Sequence, residues 1–516
     1  MKWPTSLFHR REQLTARDYW FFGGAIALYV ALTLGNITRW SIWFDEAFSA
    51  YLMRFDFFDI ARYTANDVHP PMYYWLLKAW TSVFGTSDLA LRLPSLLMIA
   101  ASIVVIVLLV RKLFSINAAR WTALLLAISP LLVRFGEEAR MYSLALLITS
   151  AATYVLVSVT ERPTRKKWLA YAVLVSLGMW THYFTALVWL AHWVWRWSVR
   201  REYKNARKFW TKEWILAHVG AIALYLPWLP FMAHQLGTVQ GTGFWIQPVT
   251  VDTPVNSLTN VFLYLDHGDV KNWFALLFVG ALGAVGWLAW RYAPKLHKTY
   301  PSGWKLILAL AFVPPLLMFV ASLPPLRPSY IDRYILPALT WMIVGIAVLV
   351  AAHVSQRDRR TWLVAGALIA TLGVGVYHVY QYGNLNRNAT PIEAQSVKQV
   401  VAEIAQKDSS DTPIVADSPW RFYEAVQYDS SKHQVYFVGQ DDVTYGSYDM
   451  LRDSDFRKIS DVNDFAKKHG AIWYIANWYN DEPRTPKGSW RVEQTIVGST
   501  PVAGSSVTRA YKLVAE

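Results

Sequence analysis

The 516-residue chain contains no cysteine. Disulfides, thiolate metal sites and cysteine nucleophiles are therefore excluded, while the redox compartment stays open. Charge is scarce as well, with Asp, Glu, Lys and Arg making up 17% of residues against 54% hydrophobic and 15% aromatic. Such a composition excludes an ordinary soluble domain. No nucleotide-binding glycine loop, internal repeat, low-complexity segment or heptad array is visible.

What is present is a series of apolar runs of roughly 17 to 25 residues, the length that crosses a hydrocarbon core of about 30 Å. They recur from Tyr19 to Tyr380. Eleven spans are expected, near 19–38, 91–110, 119–134, 141–160, 168–180, 183–200, 213–232, 272–290, 304–323, 334–352 and 361–380, within a range of 11–13. The fold class is thus a polytopic α-helical membrane protein, with residues 1–380 as its membrane domain and 381–516 as a small soluble α/β domain. The tail alternates β-rich runs at 412–417, 433–439 and 471–478 with helical stretches at 394–407 and 462–470, as an α/β domain does. Its expected role is support or acceptor docking.

The net charge of +14 sits mainly in short loops: Arg111/Lys112/Arg120, Arg162/Arg165/Lys166/Lys167, Arg196 to Lys212, Arg291/Lys295/Lys298/Lys305 and Arg357/Arg359/Arg360. This placement follows the positive-inside rule and not a nucleic-acid surface. It predicts a cytoplasmic N-terminus, with Met1 to Arg17 preceding a retained anchor and not a cleaved signal. An odd number of spans then puts the tail outside the cytoplasmic membrane. Between the first two spans, apolar Phe48, Tyr51, Leu52, Phe55 and Phe58 recur at helical spacing, predicting an interfacial helix. A second short helix is predicted over Asp67 to Trp80, with Pro70 and Pro71 in its first turn.

Sorted by expected side, Asp45 and Glu46, Asp67 and His69, Lys78, Glu137, Glu138 and Arg140, Tyr142, His182, and Arg327, Arg333 and Tyr334 gather at the outward ends of spans. Ionisable groups at bilayer depth are costly and usually line a cavity or pathway. Each group alone has a plainer reading. Asp45 and Glu46 can cap the N-terminus of a helix, His69 can be incidental to a proline-started helix, Glu138 and Arg140 can form a local ion pair, and Arg333 and Tyr334 can anchor a helix in the interface. Their joint occurrence on one side argues against those readings.

Together "WFDEAFSA" (43–50), "DVHPPMYYWLL" (67–77), "SDLALRLPSLL" (87–97), "EEARMYSLALL" (137–147), "THYFTALV" (181–188) and "IDRYILPAL" (331–339) resemble, in this order, the polyprenyl-phosphate-sugar-dependent glycosyltransferases of the GT-C superfamily. The family 39-like members, protein O-mannosyltransferases and lipid A aminoarabinose transferases, are similar in type. The resemblance covers about residues 15–380 and implies single-sugar transfer from a polyprenyl phosphate to a glycan, lipid or protein acceptor.

It also maps a catalytic base onto Asp45, with Glu46 beside it. A positioned carboxylate takes the proton of an acceptor hydroxyl as it attacks the anomeric carbon. The lipid-phosphate leaving group needs no general acid, but its charge calls for cations, hydrogen-bond donors or a metal. One base and in-line attack imply inversion. Arg333 and Tyr334 are the first candidates for that phosphate, because a guanidinium presents forked donors; Arg140, Lys78 and His182 follow. Glu138 and Tyr142 are expected to organise substrate or loop. Where aminoarabinose transferases carry a lysine before the proline, this chain has His69-Pro70, leaving three roles for His69: phosphate contact, divalent-ion ligand with Asp67, or loop organiser. No cofactor is fixed by the sequence; a divalent ion is left as an open alternative and not an expectation. Residues 241–247 and 256–266 are expected to form a flap over the sugar, or an ordinary interfacial connector. The competing function is a transporter or flippase, with Pro130, Pro227, Pro230, Pro314 and Pro315 as candidate helix breaks; the one-sided charge and lack of repeats weigh against it. Transfer or polymerisation of whole glycans on the same scaffold is a third reading, less favoured by the motif order.

Overall fold

The computed structural model describes residues 13–242, 246–265, 273–354, 359–382, 391–408, 411–429, 433–439, 448–453, 457–478, 484–498 and 507–516. The chain divides into two compact units. One comprises Met1–Gly35, Ser95–Glu137 and Met141–Val379; the other comprises Asn36–Pro94, Glu138–Arg140 and Tyr380–Glu516.

The first unit is a helical bundle. Among the described residues, seven helices are long and apolar enough to cross a membrane: Asp88–Leu113, Tyr142–Glu161, Lys212–Val239, Trp273–Thr299, Pro301–Val320, Asp332–Val354 and Trp362–Gln381. Ile116–Ala127 and Pro130–Gly136, bent by 57°, make an eighth if they count as one span. The bend falls where Ser129 caps a new helix by accepting from the Leu132 N–H, with Pro130 at its first position. Every one of the eleven expected spans coincides with a helix. Three of these helices fall short of a span by length or apolarity. Ala16–Leu34 carries Arg17 and Asp18 in its first turn, Arg165–Thr181 has 17 residues, and Thr185–Ser198 has 14.

Burial sorts the bundle. Eighty-nine per cent of the apolar window of Asp332–Val354 is buried, against 17% for Trp273–Thr299, so the former is central and the latter peripheral. Close approach decides one glycine: a Cβ on Gly136 would come 2.1 Å from the Tyr29 hydroxyl oxygen, so no larger residue fits there without displacing the ring.

The second unit joins residues 36–94 to the tail. The single helix expected through Phe48 to Phe58 is two helices, Phe44–Leu52 and Phe57–Asn66. Asp56 divides them, because its carboxylate accepts the Asp59 N–H at 2.8 Å and so caps a new helix. Phe58 consequently leaves the buried stripe and is 78% exposed. The helix expected over Asp67 to Trp80 is Met72–Phe84; both prolines precede it, with Pro71 as N-cap. The Trp75 indole donates to the Phe57 carbonyl at 2.8 Å and ties these two helices together.

The tail forms a six-stranded sheet in the order β3-β2-β1-β4-β6-β5. The strands are β1 Ile414–Ala416, β2 Val435–Val438, β3 Lys458–Ile459, β4 Ile472–Trp478, β5 Trp490–Val497 and β6 Val507–Ala515. β1, β2, β3 and β4 pair in parallel, whereas β6 runs antiparallel to both β4 and β5. This is a mixed sheet. Its core joins Val415, Ile472, Tyr474 and Leu513 to Val462 and Ala466 of the helix Val462–His469. The helix Pro419–Tyr428 packs on Phe44–Leu52 through rings: Tyr51 meets Phe422 at 6.0 Å and Tyr423 at 5.0 Å, and Phe44 meets Trp420 at 5.9 Å. Aromatic pairs at such separations add to the stabilisation from area burial.

Candidate active site

Asp45 and Glu46 lie in the first turn of Phe44–Leu52, where acids complement the helix dipole. The capping reading is right about their position and incomplete about their partners. Glu46 is 1% exposed and bound to Arg92, which donates from Nε to Oε1 at 2.8 Å and from Nη2 to Oε2 at 2.6 Å. Oε1 also accepts the Ala139 N–H at 2.9 Å. Arg92 spends its remaining donors on carbonyls of the preceding loop: Nη1 on Ile37 at 2.7 Å and Trp40 at 2.9 Å, Nη2 on Ser41 at 3.1 Å. A guanidinium has five N–H groups, and all five have acceptors. Residues 37–46 are wound around one buried cation.

Asp45 points differently. Its side chain keeps 17% exposure, with Arg140 Nε 3.8 Å from Oδ2. Arg140 is itself oriented, its Nη1 donating to the Tyr74 hydroxyl at 2.8 Å and to the Asp45 carbonyl at 3.2 Å. The pair therefore couples a solvent-reachable carboxylate to a buried, held guanidinium. Asp67, at the end of Phe57–Asn66, belongs to the same electrostatic group. Partial burial raises its carboxyl from 3.8 to about 6, the Arg140 charge and the Val68 N–H oppose that rise, and the Asp45 charge adds to it.

The other residues of this unit serve the frame. Lys78 donates to the Met53 carbonyl at 2.7 Å and so ties Met72–Phe84 to the turn after Phe44–Leu52. His69 and Glu138 are buried, the Glu138 carbonyl accepting the Arg140 N–H at 2.8 Å. Among the described residues no group of three or more His, Cys, Asp or Glu could hold a metal ion. Asp67 and His69 thus gather no third such ligand there, and no step below runs through a metal.

The bundle unit brings together a different set. The Tyr334 ring stacks on Phe184 at 5.0 Å and 17°, meets His182 at 4.8 Å and lies 6.2 Å from Tyr142. The Arg333 guanidinium sits 5.8 Å over the Tyr142 ring and 5.7 Å over that of Tyr334. A cation held over aromatic faces keeps its charge. Asp332, next in sequence, accepts from Ser257 Oγ at 2.5 Å and Asn260 Nδ2 at 2.7 Å, fixing the helix Asp252–Phe262 to the turn that carries Arg333. Of the expected flap, residues 243–245 and Asp266 lie outside the described residues.

Residues 68–231 match the family model described as dolichyl-phosphate-mannose-protein mannosyltransferase. That segment contains Arg92, Arg140, Tyr142 and His182. In that segment the chain is similar to this mannosyltransferase family. Over 96% of its length the chain has the fold of ArnT from Cupriavidus metallidurans. The apo crystal structure aligns with a TM-score of 0.59 at 14% identity over 96% of this chain and 98% of that one. The same protein bound to undecaprenyl phosphate aligns at 0.57 and 15% identity over the same shares. At such identity the likeness is one of fold. No curated protein matches the sequence significantly.

Sequence reasoning missed Arg92, Asp88 and Tyr428. Arg92 carried a signal, a guanidinium in the apolar first half of a helix whose other cations, Arg111 and Lys112, lie in its last turn, but its partners are not local in sequence.

Proposed function

We propose that the protein is a glycosyltransferase that moves one sugar from a polyprenyl phosphate to an acceptor hydroxyl on the extracytoplasmic side, with inversion, and that Asp45 is the base. The observation that carries this reading is the unequal treatment of two adjacent acids. Glu46 has its lone pairs occupied by Arg92 and the Ala139 N–H, so it is a poor proton acceptor. Asp45 keeps a solvent-reachable carboxylate whose backbone is held by the same frame. A base must be both reachable and fixed.

In this reading the acceptor hydroxyl gives its proton to Asp45 while its oxygen bonds to the anomeric carbon; the bond from that carbon to the phosphate oxygen breaks, and its electron pair leaves on the lipid phosphate. Arg140, 3.8 Å away, holds Asp45 oriented before attack. Arg333, on its aromatic platform, is assigned the phosphate charge, with Tyr334 and His182 shaping that platform. Eleven spans with the N-terminus cytoplasmic would put residues 36–94 and the tail outside, and the exposed Phe57, Phe58, Val83 and Phe84 suit helices lying in the interface.

The test is transfer by purified protein in lipid nanodiscs, offered a panel of radiolabelled polyprenyl-phosphate sugars with membrane extract as acceptor. Wild type should label an acceptor and Asp45→Asn should not, while both bind donor. Equal transfer by both removes Asp45 from the mechanism.

A further inference from the structure

The loop that delivers Asp45 is gripped from two directions. Arg92 holds the carbonyls of residues 37, 40 and 41. The tail holds the rest. Tyr428, last residue of the helix Pro419–Tyr428, accepts the Ile42 N–H at 2.6 Å and donates to Asp88 Oδ2 at 3.2 Å. Lys398, from the helix Pro391–Lys407, reaches the same Asp88 oxygen at 2.8 Å and the Thr38 carbonyl at 3.1 Å. Gln427 Nε2 donates to the Thr86 carbonyl at 2.7 Å, and Phe44, the residue before Asp45, packs its ring against Trp420 and Tyr423.

These contacts fall on Thr38, Ile42 and Phe44, ahead of Asp45, and on Thr86 and Asp88 at the start of the helix that carries Arg92. A phenol is suited to this place because it accepts and donates at once. Burial, with the Asp88 charge, pushes the Tyr428 hydroxyl well above its usual range, so it remains a donor throughout neutral pH.

We infer that the C-terminal domain is a positioning element of the transfer site: Tyr428, backed by Lys398 and Asp88, fixes the Ile42 backbone and through it the Asp45 carboxylate. The inference rests on Asp45 being the base for its catalytic half, and on geometry alone for its structural half. It gives the tail a task in catalysis without any contact to substrate.

Two readouts on the full chain in nanodiscs test it. In hydrogen–deuterium exchange, Tyr428→Phe should raise the exchange rate of peptides covering residues 37–48 while β4 to β6 keep wild-type protection. Lys398→Met should do the same more weakly, and it replaces Tyr428→Phe should that variant not fold. Unchanged exchange at 37–48 in a folded variant overturns the inference. In transfer assays, with whichever polyprenyl-phosphate mannose or aminoarabinose the panel finds turned over, Tyr428→Phe should lower kcat about tenfold or more at unchanged donor KM, as a small misplacement of a reacting group does. The same substitution added to Asp45→Asn should lower the residual rate no further. A loss of the same factor in both backgrounds means that Tyr428 does not act through Asp45 and overturns the positioning role. A fully active Asp45→Asn instead overturns the base assignment, a result that exchange at 37–48 cannot mimic.

Discussion

Arg92 and Glu46, forty-six positions apart in sequence, are joined by two charge-assisted bonds of 2.8 and 2.6 Å, with both side chains almost wholly buried. Such a pair is costly to break from one side, because the partner is left as an uncompensated buried charge, at roughly 3–5 kcal/mol. Glu46→Gln should therefore lower the melting temperature markedly and abolish transfer through misfolding of residues 37–46. Arg92→Lys should not rescue, since one ammonium cannot serve the carbonyls of Ile37, Trp40 and Ser41 together with both carboxylate oxygens. A Glu46→Gln protein that melts like wild type would refute this frame.

Asp45 should behave in the opposite way. Its carboxylate has the looser 3.8 Å contact with Arg140 and partial exposure, so Asp45→Asn should leave the melting temperature nearly unchanged. Transfer should fall by about 10²-fold or more, the scale of a lost general base. The contrast between neighbours matters more than either result: stability lost at 46 and rate lost at 45.

Tyr74 tests the support of that pair. Its hydroxyl accepts from Arg140 Nη1 at 2.8 Å, and hydrogen bonds to charged groups contribute about 1.5–3 kcal/mol. Tyr74→Phe should lower transfer roughly tenfold while the ring keeps its edge contact with Phe48. Rates indistinguishable from wild type would mean that Arg140 needs no such partner.

Asp67 makes a prediction about pH. Its carboxyl is raised from 3.8 to about 6, so the folded protein holds a proton there that the unfolded chain releases earlier. The protonated form is the one the fold favours, and its contribution is complete below about pH 4 and lost as pH rises through about 6. Asp67→Asn imitates that form without titrating. The melting temperature of wild type should thus fall relative to Asp67→Asn between about pH 4 and 6 and then run parallel to it. A constant difference across that window would show that Asp67 has an ordinary carboxyl.

The sequence discloses this molecule unevenly, and the reasons are physical. Membrane helices are legible because burial in hydrocarbon demands long apolar runs, so each expected span finds a helix; those at 165–181 and 185–198 have 17 and 14 residues. Asp45 draws notice in the sequence because two acids after an apolar run need an explanation. Arg92 and Tyr428 do not, since their meaning lies in partners far along the chain: Tyr428 meets Ile42 across 386 positions. β5 was overlooked because it is an edge strand with mostly half-exposed or exposed residues, where the alternation of apolar and polar side chains carries little weight. The break at Asp56 reflects one local hydrogen bond outweighing a continuous apolar stripe.

The last prediction concerns the phosphate and is independent of the base. Arg333 offers a guanidinium laid over Tyr142 and Tyr334, an arrangement in which the rings orient the cation while its N–H groups remain directed in plane. A charge-assisted bond to an oxyanion contributes about 1.5–3 kcal/mol, which at about 1.4 kcal/mol per decade corresponds to roughly tenfold to a hundredfold in Kd. Arg333→Ala should weaken binding of undecaprenyl phosphate to nanodisc-held protein by that factor, and Arg333→Lys should recover only part, because a point charge lacks the fork. Tyr334→Phe keeps the ring face and should bind nearly as wild type. Asp45→Asn should bind undecaprenyl phosphate unchanged, so that a loss at 333 without a loss at 45 separates holding the leaving group from taking the proton. Equal affinity of wild type and Arg333→Ala would move the phosphate to another cation, with Arg140 the next to test.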